Sequence, residues 1–310
     1  MGAAQGMVSW SYHVGGAIQL AKNIGREKLL STKYGQGMFS ALRLQMIINC
    51  MSNAKDQKKG VNWRMHGTRE DTPAIDCQQL MTQIASTRKV AERLMASSAN
   101  DVELENMIKR CQADNADLEQ WAENPPVSWK YTALAWKTEA KDGDTAHSEV
   151  YQDRIDVYHQ NCSIGAVWNM MRAGRIGLAL LMIRCAARVS TVNDYCSTPT
   201  YALASQICIG TITEIIAGIP FGLGWFAQRR HLLPQKEQFG SGEARPQKAI
   251  EVLPLIRILA ILNVLDFVTH SQRWWARGRA RHIANELGIK HAETMSQSDE
   301  ERLSMVILRD

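Results

Sequence analysis

A helical fold is the prediction for this sequence, and three observations carry it. Apolar residues recur with a period near 3.6 in most segments. Helix-capping signatures stand at segment ends. No stretch shows strand alternation, and there is no internal repeat at a fixed period. The expectation is an all-α, multi-helix bundle forming a single helical domain over 1–310.

Taken in order, Val14 to Leu30 and Gly37 to Met51 carry helical apolar spacing. The polar stretch near 52–72, rich in Lys, Asp, Gly and Arg, reads as an exposed loop. From Ile75 the apolar positions run Leu80, Ile84, Ala91, Leu94 and Met95. The next helix opens on Asn100 with Glu103 three residues later, a capping box, and continues through Leu104, Met107, Ile108, Cys111, Leu118 and Trp121. Asn124-Pro125-Pro126 ends it, because the residue before proline avoids the helical region. Asp142-Gly143-Asp144 is a turn inside a second exposed loop near 139–147. A long helix is predicted from about Val150 to Ser190, with Arg172, Arg175 and Arg184 arguing against burial all round. The Tyr201 helix follows Pro199, and a third loop spans about 233–248. The last helices are Ala249 to His270, Ser271 to Leu287 and Ser298 to Leu308, with Ser298 and Glu301 as a further capping box.

Composition bounds the function. The 310 residues are 45% hydrophobic, as a globular chain requires, and the net charge of +5 is too mild to mark a nucleic-acid binder. The seven cysteines are scattered, with no C-x-x-C pair, so a zinc finger, zinc cluster or thioredoxin-like site is not expected; they read as buried, reduced thiols. The N-terminus lacks the basic and apolar regions of a signal peptide and fits the myristoylation pattern poorly. Tyr201 to Ala227 is long enough to span a membrane, which needs about 20 apolar residues. Glu214 lies mid-span, and a charge there costs roughly 3 kcal/mol. The stretch therefore reads as a buried core helix ending near Gly218-Ile219-Pro220, and no membrane partner is expected.

Catalytic signatures fail one after another. There is no P-loop, no dinucleotide fingerprint and no G-x-S-x-G elbow. Gly218, Gly222 and Gly224 read as loop glycines, and the eight histidines stand isolated. Asn193-Asp194-Tyr195-Cys196-Ser197 resembles the start of a terpene-cyclase magnesium motif. Its third ligand position is Tyr201, however, and Pro199 breaks the helix between, so a helix–helix connection is expected there. No catalytic residue, metal or cofactor is expected. The remaining candidates are Arg273, Arg277 and Arg281, which fall on one stripe of an amphipathic helix. That stripe suits phosphate or partner contact, or else acidic neighbours and water. Ala276, Ala280, Ile283 and Leu287 fall on the adjacent stripe, and Gly288 reads as a left-handed cap.

Six segments, in order from about Trp10 to Ile289, carry a family resemblance. His13-Val-Gly-Gly-Ala17 with Gly25-Arg-Glu27 is similar to an H-x-x-G-A, then G-x-E-Q pattern. Arg43-Leu-Gln-Met-Ile-Ile-Asn-Cys50 is similar to R-x-Q-M-x-x-N-C. Asp117-Leu-Glu-Gln-Trp-Ala122 through Pro125-Pro126 and Trp129 to Tyr131 is similar to L-x-x-W-A, then P-P-x-W-x-Y. Val167-Trp-Asn-Met-Met-Arg-Ala-Gly-Arg-Ile176 is similar to W-N-x-Y-R-x-x-R-I. Glu214 to Gly224 is similar to D-I-C-A-S-V-P-F-H-L-G, with Glu214, Ile216 and Gly222 in place of its Asp, Cys and His. Gln272 to Ile289 is similar to Q-R-x-W-x-x-G-R-L-R-H-I-G-E-x-M-G-I. Together they resemble the helical regulatory region of fungal-specific binuclear zinc-cluster transcription factors.

The resemblance implies a transcription-regulator-like protein that is nuclear or nucleocytoplasmic. It would act through its helical region on a protein partner or a small effector. The family's six-cysteine cluster is not in this sequence, and the domain is expected to be incomplete at its N-terminal side, so direct sequence-specific DNA binding is not expected. The alternative is an enzyme of specialised metabolism recruited from the same scaffold, which would need a closed pocket with convergent polar groups.

Overall fold

The structure is a computed structural model that describes residues 2–32, 34–36, 38–39, 42, 72–135, 146–151, 154–158, 162–190, 194–225, 249–289 and 292–293. The protein is all-α, with a small two-stranded sheet among the described residues. The chain, expected as one domain, divides into two compact units: Met1–Glu123 with Leu180–Tyr195, and Asn124–Ala179 with Cys196–Asp310.

In the first unit lie α1 (Gly2–Ile24), α2 (Arg26–Leu30), α3 (Thr72–Ala96) and α4 (Asp101–Glu123). The predicted capping box opens α4. The Asn100 side chain accepts from the Glu103 N–H at 2.9 Å, and the Asn100 N–H donates to the Glu103 carboxylate at 3.0 Å. The helix ends at Glu123, directly before the Asn-Pro-Pro stop. Packing of α3 on α4 buries Ile84, Ala91, Leu104, Met107 and Leu118 at the spacing the sequence shows, while on α3 Met81 is buried in place of the expected Leu80, which is half-buried. One polar joint crosses that seam: Asp114, 3% exposed, accepts from Gln83 Nε2 and Thr87 Oγ1, each at 2.6 Å. Trp121 Nε1 adds a donor to the Pro73 carbonyl at 3.0 Å.

The second unit contains β1 (Tyr131–Ala135) and β2 (Arg154–Tyr158), paired antiparallel with Tyr131 opposite Tyr158 and Ala135 opposite Arg154. Then come α5 (Cys162–Val189), α6 (Pro199–Gly222), α7 (Ala249–Val264) and α8 (His270–Leu287). The last turns of α5 belong to the first unit, where Arg188 donates to the carbonyls of Leu94, Met95 and Ser97 at the end of α3. In the second unit β2 packs on α6, α6 on α7, and α7 on α8. Thr198 caps α6 by accepting from the Tyr201 N–H, and Pro199 takes the first helical position, where its missing N–H costs nothing. A Thr269–Gln272 capping box opens α8, and Gly288, at φ 65°, closes it. The predicted buried stripe of α8 is present at Ala276, Ala280 and Ile283.

Three expectations are corrected. The predicted helix from Val150 to Ser190 begins only at Cys162, because Arg154 to Tyr158 is a strand. Arg-Ile-Asp-Val-Tyr alternates charged and β-branched residues, a period-2 pattern that five residues display too briefly to compete with the long helical pattern beside it. Gly218 and Gly222 are helical rather than loop residues, since α6 continues through Pro220 to Gly222; the proline removes a single hydrogen bond in the last turn. Gly224, at φ 75°, does sit in the following turn. Finally, Arg172 is wholly buried.

Cys77, Cys111, Cys185 and Cys208 are buried, as expected, while Cys196 is exposed. Burial pushes the Cys111 and Cys208 thiols up to about 12 and Cys185 to about 11, so all three stay protonated. The loop near 52–72 (up to residue 71), the turn at 142–144, the loop near 233–248, the helix Ser298 to Leu308 and nearly all of Gly37 to Met51 lie outside the described residues.

Candidate functional site

The most unusual chemistry of the second unit is a buried ionic cluster centred on Arg172. The residue lies on the inward side of α5, and its guanidinium reaches three other elements. Its Nε donates to Glu214 of α6 at 3.1 Å, its Nη1 to the Tyr158 hydroxyl of β2 at 2.8 Å, and its Nη2 lies 3.5 Å from Asp156 of β2. The alternation of β2 explains the arrangement. Arg154, Asp156 and Tyr158 share one face, and Asp156 and Tyr158 both reach Arg172. Arg154 grips Asp156 from its other side in a fork, at 2.7 and 3.0 Å.

Aromatic rings close around the charges. The Arg172 guanidinium stands 5.4 Å from the Tyr131 ring and 5.6 Å from the Trp168 ring. Tyr131 meets Trp168 edge-on at 5.1 Å, and Trp168 Nε1 donates to the Trp129 carbonyl at 3.0 Å. Gly218 lets α6 approach, since a Cβ there would stand 3.2 Å from the Tyr158 hydroxyl.

The cluster holds two cations and two carboxylates, so it is formally neutral. Burial alone would lower the Arg172 pKa; Tyr158, Glu214, Tyr131 and Asp156 outweigh it and the net shift is upward. Burial raises Asp156, against the opposing pull of Arg154 and Arg172. Tyr158 is pushed up to about 12 by burial and remains a neutral hydroxyl. The cavity beside the cluster, lined by Tyr158, Asn169, Gly218 and Phe221, has a volume of about 10 Å³. That is room for about one water molecule. The chemistry available there is the locking of four chain segments, with no chamber for a substrate.

The predicted candidates Arg273, Arg277 and Arg281 share a helix stripe, but the structure gives them different surroundings. Arg273 donates to the carbonyls of Asn263, Leu265 and Val268 at 3.0, 2.8 and 3.3 Å, fastening α8 to the end of α7. Arg277 is half-buried. Arg281 is exposed and lines a surface cavity on α8. Asp194 to Ser197 forms the expected helix–helix connection, with a short 3-10 turn at Tyr195–Ser197. Among the described residues no group of three His, Cys, Asp or Glu side chains is placed to hold a metal ion.

Sequence reasoning missed Asp156 and Tyr158, and it took Arg172 as a surface residue. One signal was available. Glu214 is the lone charge in 27 mostly apolar residues, and an acid buried in such a helix needs a counter-charge. Among the described residues Pro199–Gly222 is one helix long and apolar enough to cross a membrane, with mean hydropathy 1.6 in its most apolar window and half of that window buried. No protein-family model, no curated protein and no solved structure matches this chain.

Proposed function

We propose that this chain is a transcription-regulator-like protein, working in the nucleus through its helical region on a protein partner or a small effector. DNA gripping by a zinc cluster is not part of the proposal. One observation carries it. Segments that each resemble the fungal regulatory region, and that lie far apart in the sequence, interlock in one joint. Trp129 and Tyr131, then Trp168 and Arg172, then Glu214 and Gly218 belong to three different segments of the resemblance and meet around one guanidinium. A fourth, Gln272 to Ile289, supplies Arg273 and Trp275, whose side chains donate to Leu265 and Ser148 carbonyls. Such residues make a scaffold, which suits a regulatory module whose work is done on its surfaces. The pairing of Glu214 with Arg172 supports α6 as a core helix.

The enzyme alternative needs a chamber of at least about 300 Å³, and nothing at the Arg172 cluster favours it. Fusing the full chain to a heterologous DNA-binding domain in fungal cells tests the proposal. The expected result is a nuclear fluorescent signal and reporter expression several-fold different from the DNA-binding domain alone. A folded, nuclear fusion whose reporter output equals that of the DNA-binding domain alone overturns it.

A further inference from the structure

A second buried arginine lacks what Arg172 has. Arg279, on α8, is 6% exposed. Its Nη2 donates to the Ala146 carbonyl at 3.2 Å, while its Nε is buried without a hydrogen-bond partner. Among the described residues no carboxylate lies within ion-pair distance of it. Burial lowers its pKa, and the field of Glu149 only offsets that in part. Among the described residues, this arginine has one carbonyl as its hydrogen-bond partner and only the field of Glu149 against its charge, which leaves the charge under-compensated.

Arg279 also lines a cavity of about 280 Å³, between residues 146–149 and the face of α8 that carries Gly278, His282 and Asn285. The two walls are held close by design of the sequence: a Cβ on Gly278 would run into the Ala146 carbonyl, so only glycine admits this approach. We infer that this cavity binds a small organic carboxylate, with the Arg279 guanidinium as its counter-charge.

The rest of the lining narrows the class. Arg281 also lines the cavity, so two guanidinium groups and the carboxylates of Glu149 and Glu286 face it, a balance that disfavours a doubly charged anion such as phosphate. The two acids suit an ammonium group close to the ligand's carboxylate. His282, held below its usual pKa by partial desolvation and then by Arg279, offers a neutral ring, and Asn285 an amide, for a polar tail. An α-amino acid meets all three demands. The inference deepens the small-effector arm of the proposed function and rests on it only for its biological purpose. The binding test below contains no transcription readout, so either can fail without the other.

Purified full-length protein is titrated with acetate, L-glutamine and inorganic phosphate at matched ionic strength, by calorimetry and thermal unfolding. The expected result is saturable binding of L-glutamine, weaker binding of acetate, and no effect of phosphate beyond that of sodium chloride. Arg279→Met should weaken both carboxylates by about thirtyfold or more, as removal of one partner of a buried charge pair does. Glu149→Gln should weaken L-glutamine while acetate binds at least as tightly as before, since a like charge is removed, and it carries the test if Arg279→Met does not fold. The inference is overturned if neither carboxylate binds saturably, if phosphate binds more tightly than both, if folded Arg279→Met binds as wild type, or if Glu149→Gln leaves L-glutamine binding as it was.

Discussion

Arg172 and Arg279 are both buried cations of the second unit, yet their surroundings are opposite. Arg172 has two carboxylates, a hydroxyl and two aromatic faces within reach. Among the described residues Arg279 has one backbone carbonyl, the field of Glu149 and a cavity. The first spends its charge on joining β2, α5 and α6; the second keeps most of its charge unspent. A buried charge with its partners in place is architecture, and one without them is a candidate for binding.

The comparison can be broken from either side. The largest effect is expected at the satisfied site. Arg172→Met leaves the buried Tyr158 hydroxyl and the Glu214 carboxylate without their donor, while Asp156 keeps Arg154, and should cost about 3–5 kcal/mol in urea unfolding, since one partner of a buried ionic cluster is removed. Adding Glu214→Gln to that variant should recover part of the loss, and a strictly additive double mutant would show that the pair is not coupled. Next comes Gly278→Ala, where the new methyl meets backbone. A loss of about 2–3 kcal/mol by the same measurement is expected, together with loss of carboxylate binding, and a neutral result would mean that residues 146–149 do not close on α8 as described. Trp168→Phe keeps an aromatic ring but removes the donor to the Trp129 carbonyl and part of the buried indole. About 1–3 kcal/mol should be lost, and a change near zero would place that carbonyl in water. The smallest effect belongs to Arg279→Met without ligand. Its stability should stay within about 1 kcal/mol of wild type or rise, because an unpaired buried charge is being removed. A loss as large as that of Arg172→Met would erase the distinction between the two arginines.

The helices were legible because their signals are local. Asn100 with Glu103 caps α4, Asn124-Pro-Pro stops it, and the stripe Ala276, Ala280, Ile283 is buried as its spacing demands. The strand Arg154–Tyr158 was not legible, because five alternating residues are outweighed by the long helical pattern that follows. Of the three candidate arginines, spacing could place them on one stripe but could not tell that Arg273 is taken up by carbonyls at the end of α7. Arg279 belongs to the same basic segment but lies off that stripe, and nothing in the sequence says that residue 146, far away along the chain, will cover it.

By itself the sequence determined the class of fold, the helix ends marked by a capping box, a proline stop or a left-handed glycine, and the burial of four of its cysteines, because periodicity, capping and proline act within a few residues. Only the tertiary structure decided which charges meet. At the two buried arginines pairing and enclosure join groups 16 and 133 residues apart, Arg172 with Asp156 and Arg279 with Ala146, and no local pattern encodes such a distance.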